Sequence, residues 1–137
     1  MRVLEARDRP PSLVDVACTA GTWTRATWSE GVVRLVDAHL REAAARPFTT
    51  DDLAGIGPAC KDPDARARLL AASPDLRRLA FSHAGGLVVV DGDVGVRVAV
   101  PADAAARLGD HLLVTTPARD GHRVLLVTWT GEVLDES

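Results

Sequence analysis

The stretch that decides the fold class runs from Leu79 to Val100 and reads LAFSHAGGLVVVDGDVGVRVAV. Apolar residues alternate with other residues along it, and it is interrupted at Gly85-Gly86 and at Asp91-Gly92. Asp-Gly between two apolar runs is a strong signal for a β-hairpin, because the tight turn needs positive φ angles. The stretch therefore predicts three strands joined by short turns.

The period of two continues towards the C-terminus. Further strands are predicted within HLLVTT at 111–116 and HRVLLVTW at 122–129, joined by a turn at Asp120-Gly121. Val124 to Val127 is apolar at four successive positions, which is the pattern of a strand buried on both faces. The second half of the chain is therefore predicted to be a mainly antiparallel sheet.

Two segments of this half are not predicted as strands, one between two strands and one at the C-terminal end. A short helix is predicted from Ala102 to Leu108, because Gly109 stands where a helix would end. Residues 131–137 carry three acids and are predicted to be a loose tail.

The chain before Leu79 shows helical spacing instead. Apolar residues recur at three- and four-residue intervals from about Ser12 to Ala20 and from Ser29 to Arg46. Two proline-led starts, at Asp62 and Ser73, predict two helical pieces separated by a break at Pro74.

A short helix at 49–55 has the most complete start signal. Thr49 is placed to cap it, Asp52 stands at the third helical position, and Phe48 can pack onto Leu53. The expected fold class is thus α+β, a single compact domain over 1–137 with a helical part at 12–80 and a β part at 79–130.

The order of these elements resembles a winged helix-turn-helix. Predicted helices at 29–46, 49–55 and 63–72 are followed by a hairpin at 87–100, and FTTDDL at 48–53 is similar to the start of that family's second helix. Two other resemblances remain open. The elements of 79–129 follow the order of an OB-like barrel, and VRVAVPADAAARLGD at 96–110 resembles the swapped-hairpin transition-state regulators.

The winged-helix resemblance implies DNA binding, with cytoplasmic transcription regulation as the setting. Residues 61–80 hold five basic and three acidic side chains, the most basic region of the chain. Asparagine and glutamine are absent, so base reading would depend on arginine or on DNA shape. The candidate nucleic-acid-binding residues are Lys61, Arg66, Arg77, Arg78 and Arg97.

The overall composition narrows the possible functions. The 137 residues carry a net charge of −3, with 15 arginines but a single lysine and no tyrosine. The negative net charge argues against a surface that is cationic throughout. The absence of tyrosine excludes chemistry that needs a phenol group. No apolar run approaches the ~20 residues of a membrane span, and the widely spaced Cys18 and Cys60 suggest a reducing compartment.

No constellation of residues identifies a reaction. His83, His111 and His122 each stand at a strand end, and His39 lies on an apolar stripe, so all four are expected at the edge of the core. No metal, cofactor or catalytic residue is predicted, and an enzyme is the less favoured reading. A small metal-assisted hydrolase using histidine and aspartate at strand ends remains the third alternative.

Two tryptophans are the remaining informative residues. Trp23 and Trp28 flank a threonine-rich connection, where they can either plug the joint between the two halves or anchor a partner interface. The expected function is a small cytoplasmic, non-catalytic binding or regulatory module that contacts DNA or a partner protein. Homodimerisation is possible, and the alternative is a structural subunit of a larger assembly.

Overall fold

Three antiparallel sheets, each of four strands, make up the protein. The structure, a computed structural model, describes residues 12–19, 21–39, 41–49, 52, 67–83 and 86–136. The secondary-structure elements formed by these residues are all β-strands. The first sheet contains β1 (Ser12–Thr19), β2 (Thr22–Ser29), β3 (Val32–Val36) and β4 (Glu42–Pro47); the second contains β5 (Arg68–Ala72), β6 (Arg78–His83), β7 (Gly86–Asp91) and β8 (Val94–Val98); the third contains β9 (Ala104–Leu108), β10 (His111–Ala118), β11 (Gly121–Thr128) and β12 (Val133–Glu136).

Each sheet is an up-and-down meander in which every strand pairs with its neighbour in sequence. The first strands of the three sheets lie side by side, since β5 contacts both β1 and β9. Four-stranded sheets are also the repeating unit of β-propellers, in which four to eight of them surround a central channel. The described residues form three such sheets, stacked face to face.

The core lies in two layers, one between each pair of adjacent sheets. In the first layer the ring of Phe81 stacks on Phe48 and meets the edge of Trp28, each at a centroid distance of 4.8 Å. The Trp28 indole donates a hydrogen bond of 2.7 Å to the Phe48 carbonyl, so its polar atom is satisfied inside the core. The second layer is built from aliphatic residues of the second and third sheets and from Trp129.

The prediction of a helical first half is wrong, and with it the α+β fold class and the winged-helix resemblance. A winged helix-turn-helix needs helices, whereas the described part of 12–80 forms β1 to β5 and the start of β6. The OB-like and swapped-hairpin alternatives also fail, because β5–β8 and β9–β12 are separate open meanders. The keywords that followed from the resemblance, winged helix and DNA-binding transcription regulation, are not supported.

The segment from Ser29 to Arg46 shows why the helical reading failed. Glu30 and Gly31, expected inside a helix, have φ angles of 52° and 76° and form the tight turn between β2 and β3. In the same segment Arg34 pairs with Glu42 at 3.2 Å, a contact that the pairing of β3 with β4 creates between residues eight positions apart. Asp37 and Arg41 have the four-residue spacing of a helix-surface pair, yet they meet at 3.0 Å in the connection between β3 and β4. Charge spacing of four residues is thus compatible with both structures.

Alanine-rich sequence was the second source of error. Ala104 to Leu108, predicted as a helix, is β9 and pairs along β10. Alanine favours helices intrinsically by less than 1 kcal/mol per residue, and pairing beside a buried strand outweighs that preference. Val133–Glu136, expected within a loose tail, pairs with β11 as β12.

The strands predicted after Leu79 are confirmed as β6, β7, β8, β10 and β11. The capping interaction predicted at Thr49 is also present: its backbone N–H donates to the Asp52 carboxylate at 2.7 Å, and the Asp52 N–H donates back to the Thr49 hydroxyl at 3.2 Å. The rest of the helix predicted there lies outside the described residues.

Candidate interaction surfaces

The outer face of the third sheet, away from the core, is uncharged across β9, β10 and β11. Register places Ala106, Leu113 and Leu126 in one row across these strands. The flanking rows are Leu108–His111–Thr128 and Ala104–Thr115–Val124. Leu108 is 54% exposed and Val124 38% exposed. This face, which we call the trailing face, therefore presents mainly apolar side chains together with His111 and two threonines, and its one acid in register with these rows, Asp135, lies on the edge strand β12.

Strand β11 contributes Val124 and Leu126 to this face, and its sequence is that of a strand buried on both sides. Leu125 and Val127 are within the core, whereas Val124 is exposed and Leu126 half-buried. The central strand β7 carries the same kind of run, from Leu87 to Val90, and is at most 2% exposed at these positions because a sheet covers each of its faces. The trailing face thus has the sequence of a covered surface.

The opposite end of the stack is the outer face of the first sheet, which we call the leading face. Trp23 is 47% exposed there, in β2, and Val36 in β3 lies on the same side. A shallow cavity of about 350 Å³ lies beside these two residues. The arginines of the leading face have carboxylate partners on the same face: Arg25 lies 3.0 Å from Asp15, and Arg34 lies 3.2 Å from Glu42.

The second predicted partner-binding residue, Trp28, has a different position from Trp23. It is 9% exposed and belongs to the core layer between the first and second sheets. Alternation along β2 separates the two, because Trp23 and Trp28 differ by an odd number of residues and point to opposite faces. A role in partner binding for either residue stays a prediction.

Two of the predicted nucleic-acid-binding residues, Arg77 and Arg78, line a cleft of about 590 Å³ between the second and third sheets. Asp91 lies between them, 3.3 Å from Arg77 and 3.6 Å from Arg78. Arg78 also lies 5.7 Å over the ring of Trp129 and 3.9 Å from Asp110. Arg77 and Arg78 are therefore each paired with a carboxylate, and the acids that line the cleft interrupt any continuous basic patch.

Arg97 lies at the other end of the second sheet. It donates a 3.0 Å hydrogen bond to the carbonyl of His83, the last residue of β6, whereas Arg78 is the first residue of that strand. Five residue steps of about 3.3 Å separate the two ends by about 17 Å. The structure thus does not bring Arg97 together with Arg77 and Arg78, and Lys61 and Arg66 lie outside the described residues.

The Arg97 contact has an electrostatic consequence for His83. This imidazole is 8% exposed, and burial is the main reason why its pKa lies below the ordinary value; the nearby positive charge of Arg97 lowers the pKa further. Its Nδ1 atom is buried without a hydrogen-bond partner in the described part of the structure. His83 is therefore held neutral at the edge of the core.

The other predicted chemical candidates are dispersed. His122 pairs with Asp103 at 3.2 Å on the exposed rim of the third sheet, and Cys18 is a free, exposed thiol on β1. Across residues 12–136 where the structure is described, no three histidine, cysteine or acidic side chains come close enough to hold a metal ion. Among the same residues, no helix has the length and apolarity needed to cross a membrane.

Sequence reasoning missed the trailing face, although a signal for it was present. The apolar run at Val124 to Val127 predicts burial on both sides, and Leu112 and Leu113 add a second adjacent pair. What the sequence did not show is that β9–β12 would be the last of three stacked sheets in the described structure, with one side left open. No protein-family model matches this sequence, and a search of curated proteins found no significant match.

Proposed function

We propose that this protein is a non-catalytic interaction module, a structural subunit that joins a larger β-sheet assembly through the outer faces of its first and third sheets. The single observation that carries the proposal is the apolar row Ala106, Leu113 and Leu126, which crosses β9, β10 and β11 on the trailing face. Large contiguous apolar patches on the surface of a protein domain commonly mark sites where another molecule binds.

The leading face supports the same function. Tryptophan and arginine are enriched among the residues that dominate binding energies, and Trp23 and Arg25 lie side by side there. Because the leading face pairs its charges internally, covering it would bury no isolated charge. The exposed thiol of Cys18 supports a reducing compartment, and the cytoplasm is the compartment we propose.

The proposal is tested by photo-crosslinking in cells that produce the protein. A benzophenone amino acid replaces Leu126 on the trailing face, and the adducts are identified by mass spectrometry. The matched control is the same amino acid at Val94, which is 63% exposed on the edge strand β8 but belongs to neither outer face. We expect a discrete protein adduct from position 126 and none from position 94.

Two results would overturn the proposal. One is the absence of any adduct at position 126 in protein that is folded and abundant. The other is the same broad set of adducts from both positions, which would indicate random collisions of exposed apolar side chains.

A further inference from the structure

We infer that the partner on the trailing face is a second copy of this chain, bound head to tail, so that the third sheet of each copy packs on the first sheet of the other. The inference rests on the proposed function and names its partner. It makes the two outer faces complementary halves of one contact.

The internal stacking of the chain is the first argument. The first sheet meets the second, and the second meets the third, through the same pairing of successive first strands. The trailing face of the third sheet corresponds to the side of the second sheet that carries Leu87 and Val89, which the third sheet covers completely. Another first sheet placed on the trailing face would continue the stack by the contact that the chain already makes twice.

Electrostatics allow this contact. The three rows of the trailing face on β9 to β11 contain no aspartate, glutamate, lysine or arginine. On the leading face the arginines at 25 and 34 each have a carboxylate partner within 3.2 Å. The edge strand β12 places one acid in this sheet, Asp135, as the register partner of Leu126. Packing one face on the other therefore joins an apolar surface, with an acid only on its edge strand, to a charge-balanced surface on which Trp23 is exposed.

The available area is sufficient for a stable dimer. Four strands about 4.8 Å apart and some six residues long, at about 3.3 Å per residue, make a face of roughly 400 Å². One contact then covers about 800 Å² in total, and two contacts about 1,600 Å², the size of a standard specific interface. Two contacts form only if the pair closes into a ring, here of six sheets, which lies within the four to eight of known propellers.

Light scattering on the purified full chain over a micromolar concentration series tests the inference. We expect a mass of twice 14.5 kDa. Leu126→Glu on the trailing face and Trp23→Glu on the leading face should each raise the dissociation constant by roughly a hundredfold, because each would bury an unpaired carboxylate. Val94→Glu, on the edge strand β8, is the control and should leave the mass unchanged.

Mixing the two variants tests the head-to-tail geometry. A mixed pair keeps one native contact, between the intact third sheet of the Trp23→Glu chain and the intact first sheet of the Leu126→Glu chain. We expect it to associate more tightly than either variant alone. Circular dichroism checks that each variant is folded, and Val124→Lys, at a more exposed position, replaces Leu126→Glu if the latter does not fold.

The outcomes separate the two proposals. Four results would overturn the second-copy ring. The protein could be a monomer at all concentrations, or an assembly larger than a dimer. Alternatively, the dimer could keep its dissociation constant in Trp23→Glu, or the mixed variants could associate no more tightly than either variant alone. If the chain is monomeric but the crosslink at position 126 captures another identified protein, the interaction module stands and the second copy does not. If position 126 captures nothing, both proposals fall.

Discussion

At the scale of single residues, Arg46 is the side chain that ties the first sheet to the second. Its guanidinium donates hydrogen bonds to three backbone carbonyls in the turns of the second sheet, those of Leu76, Arg77 and Gly92, at 3.0, 2.9 and 2.6 Å. It also lies 5.8 Å over the ring of Phe48. A planar group with several fixed donors suits this task, which a lysine ammonium could perform only in part.

We expect Arg46→Ala to lower the free energy of unfolding by about 2–4 kcal/mol, because it removes charge-assisted bonds and leaves carbonyls without their donor. Arg46→Lys should recover only part of this loss. Arg41→Ala is the matched control, since Arg41 is 75% exposed and pairs only with the neighbouring loop residue Asp37 among the contacts described. Urea unfolding of the three variants measures the difference, and equal effects of Arg46→Ala and Arg41→Ala would contradict this role.

His83 makes stability depend on pH. Its pKa in the folded protein lies below the ordinary value of 6.5, owing first to burial and then to Arg97, so the unfolded chain binds a proton more readily than the folded chain. The contribution of His83 to the free energy of unfolding is therefore complete above the ordinary pKa and declines as the pH falls through it. We expect His83→Leu to flatten the decline between about pH 7.5 and pH 5.5, as measured by urea unfolding across that range. An unchanged slope would show that His83 is not its source.

At the scale of elements, strand identity was predictable where the local pattern and the tertiary environment agreed. In β6 to β8 the alternation, the β-branched residues and the Asp91-Gly92 turn all favour a hairpin, and the structure contains it. In β3, β4 and β9 the local signals favour a helix, yet these segments pair as strands. Helical propensity is a weak term, and burial of one face against a neighbouring sheet outweighs it.

The turn between β11 and β12 fixes how the third sheet packs on the second. Gly131 has a φ of 88°, and a Cβ atom built there would lie 2.6 Å from Cγ1 of Val96 on β8. Gly109, in the turn before β10, has a φ of 57° but open space where its Cβ would be. Substitution of Gly109 therefore measures the free-energy cost of backbone strain alone, whereas substitution of Gly131 adds the cost of a steric clash.

We expect Gly109→Ala to destabilise the protein by about 1–2 kcal/mol through backbone strain alone. Gly131→Ala should cost a further 1–3 kcal/mol or so, because it also overpacks the contact with Val96. Val96→Ala in the Gly131→Ala background should return part of that extra loss. Thermal unfolding of the single and double variants measures these terms, and equal costs at the two glycines would contradict a packing role for Gly131.

At the scale of the whole molecule, the proposed function depends on the position of each sheet in the stack. The second sheet is covered on both faces, whereas the first and third sheets each have one side that nothing in the described residues covers. The trailing and leading faces exist only because three sheets are stacked in this order. The crosslinking and light-scattering experiments therefore test the arrangement of sheets rather than the chemistry of one residue.

The candidate site was only partly accessible from the sequence. The sequence predicts Trp23 and Trp28 together as partner-binding residues, and their placement on opposite faces follows only once β2 is a strand. Arg77, Arg78 and Arg97 were singled out as unexplained charges, and the structure gives each a partner within its own sheet. The sequence did not predict that Arg97, on β8, would contact the end of β6 opposite to the end that carries Arg78.

The sequence by itself determined β6, β7, β8, β10 and β11, the tight turn at Asp91-Gly92, the capping contact at Thr49 and the apolar run in β11, because each is encoded within about a dozen neighbouring residues. Only the tertiary structure decided that alanine-rich and charge-spaced segments are strands, and which apolar faces are covered. Those outcomes depend on pairing and stacking between residues distant in the chain, and the burial free energy of such contacts exceeds the small local preferences that favour a helix.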